Sequence, residues 1–172
     1  MDNEINALVD KELEVIKKIV SYHLKGLKYR VPKGFWYKSS AYKAVRYVIL
    51  DVFKYSKDDI KKSFTVTSLD LLGLRSVRRF GDMYDLLSNA VPEFELHPWE
   101  FKKLPDKFWT NNNIKEAIMW LIYEVEDTIP INFNLTPKLL YDNGLSKIYS
   151  KCHHSTREIM NIVFPEEYFG KI

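Results

Sequence analysis

Ile5, Leu8, Val9, Leu13, Ile16, Ile19, Val20, Leu24 and Leu27 recur in steps of three and four along the start of the chain. That spacing lines one face of an α-helix and predicts a long amphipathic helix over residues 3–28. Ala41, Ala44, Val45, Val48, Ile49, Val52 and Phe53 repeat the period, as do Ile114, Ala117, Ile118, Leu121, Ile122 and Val125. Runs alternating apolar and polar residues, the mark of a half-buried strand, are scarce. The expected fold class is all-α.

The second and third apolar faces lie 73 residues apart, and the correspondence extends beyond them. Val31-Pro32-Lys33-Gly34-Phe35-Trp36 matches Leu104-Pro105-Asp106-Lys107-Phe108-Trp109. Leu71–Val77 meets Asp142–Ile148 at a shift of 71, and Asp85–Phe94 meets Glu158–Glu167 at 73 again. Such ordered self-similarity predicts a duplicated unit. The expected organisation is an N-terminal helix over 1–30, a first unit over 31–103 and a second over 104–172, each unit four-helical.

Within each unit the punctuation agrees. Ser39 or Ser40 is the expected cap of the first helix, and Asn113 with Glu116 suggests a capping box in the second unit. The stretches Lys54–Ser63 and Glu126–Asn134 read as polar loops. Thr67 and Thr136 then open a short helix, Thr136 with Pro137 in the favoured first position. Gly73 and Gly144 fit left-handed helix ends. Third helices follow at Arg75–Phe80 and Ser146–Lys151, and fourth helices run from near Asp82 and Ser155 to Val91-Pro92 and Phe164-Pro165. Between the units, Ala90–Trp109 carries Pro92, Pro98 and Pro105 among Phe94, Trp99, Phe101, Phe108 and Trp109. Rings bury much area at small entropic cost and prolines stiffen the path. The segment therefore reads as an aromatic/proline junction through which the units pack.

Composition narrows the class. Of the 172 residues, 46% are hydrophobic, 28% charged and 15% aromatic, a globular balance rather than a disordered one. The one cysteine, Cys152, excludes an internal disulfide and a cysteine-built zinc cage. No apolar run nears the roughly 20 residues of a membrane helix. The start is acidic and amphipathic, unlike a signal peptide. The expectation is a cytoplasmic protein with no membrane partner and no cofactor. The net charge of +3 is unevenly spread: residues 31–103 carry 13 basic and 9 acidic side chains, residues 104–172 carry 7 and 9.

Candidate chemistry is sparse. Ser68–Leu87 reads as helix, glycine turn, helix, which is helix-turn-helix-like. Its second helix presents Arg75, Arg78 and Arg79, with Val77 and Phe80 inward. Guanidinium groups suit phosphate oxygens and guanine edges. Lys54, Lys57, Lys61 and Lys62 would add phosphate contacts. The competing reading is a solvated face partly neutralised by Asp82 and Asp85. The second unit has Ser146, Lys147 and Lys151 instead. Cys152-His153-His154 lacks the further ligands of a tetrahedral metal shell, so His154 and Glu158 read as a local pair. Asp58-Asp59 and Glu124, Glu126 and Asp127 read as solvated acids, although the last three oppose the helix dipole. No Walker motif, nucleophile elbow or catalytic triad appears.

The run Val91-Pro92-Glu93-Phe94 with Pro98-Trp99-Glu100-Phe101 follows Gly73-Leu74 by some 17 residues and precedes Trp109, Ala117, Trp120 and Leu121. It resembles an uncharacterised tandem-domain family of Gram-positive bacteria and their phages, whose signature is (Tyr)-Pro-x-x-Phe-x-Pro-Trp-Glu-Phe. Val91 and Phe164 replace the usual tyrosine, and the second unit lacks a second Pro-Trp-Glu-Phe. The resemblance brings no catalytic residue. A looser relative of the signature sits beside nuclease domains, which implies nucleic-acid binding. Together these readings favour a non-enzymatic DNA-binding protein, a phage or mobile-element regulator. The alternative is a protein-interaction module, an adaptor or inhibitor of a host or phage protein. No metal site is expected.

Overall fold

The computed structural model describes residues 2–101, 104 and 106–165, with side chains described from Lys11 onward, apart from Asp106. Ile5, Leu8 and Val9 of the expected apolar face lie outside the described side chains, and Pro105 and Glu166–Ile172 lie outside the described residues. The fold is all-α, a long N-terminal helix followed by helix clusters. It divides into two compact units, Met1–His97 and Pro98–Ile172.

In the first unit α1 spans Asp2–Leu24. Its buried edge is Ile16, Ile19 and Val20. Leu24 and Leu27, expected on that edge, are 63% and 55% exposed. The helix stops at Leu24, and Gly26 at φ 70 turns the chain before Leu27 can continue the face. α2, Lys38–Tyr47, packs chiefly on α5, Met83–Ala90, through Ala41, Ala44, Val45, Leu86, Leu87 and Ala90. Ser40 is not its cap. Tyr37 takes the extended cap position, and buried Ser40 reaches back to accept from the Tyr37 amide at 3.0 Å.

α3, Lys57–Ser63, occupies the stretch expected as loop. Ser56 caps it by accepting from the Asp59 amide, while Asp59 accepts from the Ser56 amide at 2.9 Å, a reciprocal box. α4, Val66–Asp70, follows, with Thr65 rather than Thr67 at the cap.

The second unit runs through α6 (Asn111–Trp120), α7 (Pro137–Asp142), α8 (Ser146–Lys151) and α9 (Thr156–Val163). Thr110 caps α6 by accepting from the Asn113 amide, so the expected Asn113–Glu116 box is displaced by one turn. The Glu116 carboxylate instead accepts from Asn112 at 2.8 Å. Thr136 and Ser155 cap α7 and α9 as the pattern expects. The core joins Ile114, Ile118, Leu121, Leu140, Ile148 and Ile159 with Trp99 and Trp109. The two junction tryptophans are thus core residues of this unit, with Trp99 tilted against Trp120 at 5.8 Å. The first unit has Trp36 alone, edge-on to Phe35 at 5.0 Å and half-buried.

Several backbone features recur at the offsets read from sequence. α2 widens into a π-helix over Val48–Phe53 and α6 over Leu121–Val125. Tyr55 donates to Ile49 O at 2.9 Å, as Thr128 does to Ile122 O at 3.0 Å. Lys54 and Asp127, 73 positions apart, both hold positive φ, 54 and 44. α4 and α7 each close in a Schellman pair: Leu74 N to Leu69 O and Gly73 N to Asp70 O, against Leu145 N to Leu140 O and Gly144 N to Tyr141 O.

Both glycines sit in the left-handed region, at φ 74 and 75. A Cβ on Gly73 would stand 2.9 Å from the His23 ring, and one on Gly144 would stand 3.2 Å from the Trp99 carbonyl. Gly73→Ala and Gly144→Ala should each lower stability by about 1–3 kcal/mol, read by denaturant unfolding. Ile118→Ala, at a fully buried position, should cost about 2–5 kcal/mol in the same measurement.

Candidate nucleic-acid interface

The arginine turn is built from the Schellman end of α4. Gly73 reverses the chain and Leu74 seals over Leu69, both leucines fully buried. The chain then winds as a 3-10 helix over Arg75–Phe80, not as the expected α-helix. Three residues per turn sort the side chains onto edges. Leu74 and Val77 are buried and Phe80 half-buried on the inner edge. Arg75 and Arg78 share a second edge, and Arg79 stands on the third with Ser76. That i, i+3 apolar row is stacked along one edge by the three-residue period. Gly81 then breaks the winding, and Asp82 caps α5 by accepting from the Asp85 amide at 2.9 Å.

All three arginines are exposed. Arg78 pairs with Asp70 on α4 at 3.1 Å, with both side chains more than a third exposed. Such a pair contributes at most about 1 kcal/mol. The Arg79 guanidinium lies over the Phe80 ring, 5.2 Å from its centroid. Arg75 has no ion-pair partner among the described residues. The turn's principal packing partners are α2, α4 and α5.

The lysines are arranged less coherently. Lys57 donates to the Glu95 carbonyl at 3.0 Å and so fastens α3 to the Pro92–Phe94 turn. Lys54 and Lys62 are exposed, and Lys61 is half-buried. The structure brings the arginines together on one element and leaves the four lysines on and beside α3.

A cationic cleft escaped the sequence reading. It is an open groove of about 400 Å³ between α2 and α5, lined by Lys38, Tyr42, Lys43, Arg46 and Asn89 among others. Its signal was the Lys38–Tyr42–Arg46 spacing along one helix edge. Two of its cations are already committed. Lys43 bonds Glu12 of α1. Arg46 donates to the Ala90 carbonyl at 2.9 Å and pairs with Glu93 at 2.7 Å. The bond to Arg46 holds the Glu93 carboxyl below its ordinary value, and the reciprocal bond raises Arg46. These cations act as fasteners between helices.

In the second unit the metal-like stretch resolves into a helix end. His153 and His154 take positive φ, 49 and 60. It is His153, not His154, that meets Glu158, at 3.1 Å, while His154 stands edge-on to Tyr149. Cys152 is buried, and desolvation pushes its thiol up. Among the described residues no three His, Cys, Asp or Glu side chains converge as metal ligands, and no described helix is long and apolar enough to cross a membrane. Compared with known proteins, the chain matches no family model, no curated sequence and no solved structure.

The Arg46–Glu93 pair has a pH signature. Because the folded-state value of Glu93 is depressed, its contribution is present above the unfolded value near 4.5 and is lost as pH falls through the lower folded value. In an NMR titration the Glu93 midpoint should lie below 4.5 in the parent and return toward 4.5 in Arg46→Gln.

Proposed function

We propose that the protein is a non-enzymatic DNA-binding protein that grips phosphates through Arg75, Arg78 and Arg79. The observation that carries this reading is the presentation of three exposed guanidinium groups on one short turn whose inner edge, Leu74 and Val77, is fully buried. Guanidinium forks suit phosphate oxygens, and a pre-set backbone reduces the ordering cost of each contact. About 6 Å of rise separates Arg75 from Arg78 in 3-10 geometry, so the two reach neighbouring phosphates of a strand. A recognition element that reads base edges is ordinarily a full α-helix laid in the major groove. A six-residue 3-10 turn after a five-residue helix favours backbone contacts, hence weak sequence preference. Lys54 and Lys62 are exposed on and beside α3 and Lys57 is held by the Glu95 carbonyl, so the reading rests on the arginines.

The recurring π turns, Schellman glycines and left-handed positions support a further reading, that both units descend from one duplicated helical module. The family resemblance is consistent with it and with a regulator's role in a phage or mobile element. The second module has serine and lysine where the first has arginine, so the DNA-binding work falls to the first.

Fluorescence anisotropy with a labelled duplex at 50–200 mM salt tests the reading. Each phosphate contact contributes about 0.9 to the slope of log affinity against log salt. The triple Arg75/Arg78/Arg79→Ala variant should lose about 2–3 of slope and at least about tenfold in affinity at low salt. Asp70→Asn, which releases Arg78, should tighten binding up to about fivefold. Equal binding by parent and triple variant would sink the proposal.

A further inference from the structure

Between Glu14 and Asp51 the chain carries nine lysines and arginines and no aspartate or glutamate. Some of these cations are engaged. Lys17 pairs with Glu14 at 3.0 Å, Lys43 bonds Glu12, and Arg46 pairs with Glu93. Lys25, Lys28 and Arg30 are exposed and bond no carboxylate among the described residues. Asp51 lines the same open cleft as Lys25 without forming an ion pair with it.

These three cations follow the end of α1, where the chain folds back on the helix. Gly26, at φ 70, ends α1 in a Schellman pair, with Leu27 N donating to Tyr22 O and Gly26 N to His23 O, both at 2.9 Å. The Tyr29 ring then rests edge-on against Tyr22, with centroids 5.4 Å apart. The chain from Lys25 to Arg30 is thereby held at the last turn of α1, with Lys28 and Arg30 exposed on either side of half-buried Tyr29. A helix dipole attracts cations only around its last turn. It does not account for Lys28 and Arg30, which lie beyond the left-handed glycine.

The same turn of α1 meets the root of the arginine turn. A Cβ on Gly73 would stand 2.9 Å from the His23 ring, and Arg75 follows Gly73 by two residues. Lys25, Lys28 and Arg30 on one side and Arg75, Arg78 and Arg79 on the other therefore issue from one corner of the first unit. We infer that the segment Lys25–Arg30 is a second phosphate-contacting arm, which grips the backbone of one DNA duplex together with the arginine turn. The inference rests on the DNA-binding reading above and extends its footprint. Charge complementarity identifies the occupant. Three cations without carboxylate partners suit the regularly spaced anions of a nucleic-acid backbone. Leu24 and Leu27, 63% and 55% exposed at the same helix end, would suit an anionic lipid surface instead. Adjacency to the arginines favours DNA.

Anisotropy with the full chain and a labelled duplex reads each cation group separately. Lys25/Lys28/Arg30→Gln should lower the slope of log affinity against log salt by about 2–3 and weaken binding at least about tenfold at low salt, with one chain per duplex. Combined with Arg75/Arg78/Arg79→Ala, it should remove about 5 of slope. Lys115/Lys138/Lys151→Gln, an equal change of charge at exposed positions of the second unit, should leave the slope unchanged. Circular dichroism checks that each variant keeps the helix content of the parent. If the arm variant binds as the parent does while the arginine variant weakens, the inference falls and the arginine reading stands. If the arginine variant binds as the parent does, that reading falls and the joint grip falls with it. An equal loss in the second-unit control would overturn the inference, since the effect would then follow net charge alone. So would binding to phosphatidylglycerol vesicles that displaces the duplex and is lost in Leu24→Ser/Leu27→Ser, which would make the arm a lipid contact.

Discussion

A side chain at position 73 or 144 has nowhere to go. Each glycine ends a short helix in the left-handed region, where L-residues are strained, and each lies under a neighbour at less than ordinary Cβ distance. The reversal brings Leu74 back onto Leu69 and Leu145 back onto Leu140, closing both cores at the same kind of corner. It also sets the direction in which the next element leaves. In the first unit that element is the arginine turn, so the placement of three guanidinium groups follows from the absence of one methyl group.

The same corner explains a difference between the units. Against Gly73 stands an imidazole from the long helix α1, which also packs on α2. Against Gly144 stands only the backbone of a three-residue turn. A cover made of one turn seals the corner but not the length of α6. Farther along, Tyr123 and Val125 are exposed.

Much of this was legible in the chain. The glycines, Thr136 and Ser155 announced their caps because capping chemistry is local and sequence-specific. The apolar rows of α2 and α6 were readable because ten-residue helices sample the 3.6 period nearly three times. Other features had no such signature. Over six residues a three-residue and a 3.6-residue period are indistinguishable, so Leu74, Val77 and Phe80 read equally well as an α-helix. α3 was hidden because its charged residues mask the period, although Ser56 and Asp59 carried its capping signal. Leu24 and Leu27 continue the apolar spacing of α1 past the point where Gly26 ends the helix. Of the candidate interface, the arginines were readable by type and spacing. The engagement of Lys57 by Glu95 and of Arg46 by Glu93 was not, since each joins residues distant along the chain, nor was that of Arg78 by Asp70, which depends on the reversal at Gly73.

The distribution of indoles divides the molecule optically. Trp99, Trp109 and Trp120 belong to the second unit, and Trp36 is alone in the first. Intrinsic emission therefore reports mainly on one half of the chain, while far-ultraviolet dichroism weighs both halves through their helices. If the halves melt together, the two signals trace one curve. If they melt apart, the emission transition marks the second half and the remaining ellipticity change marks the first.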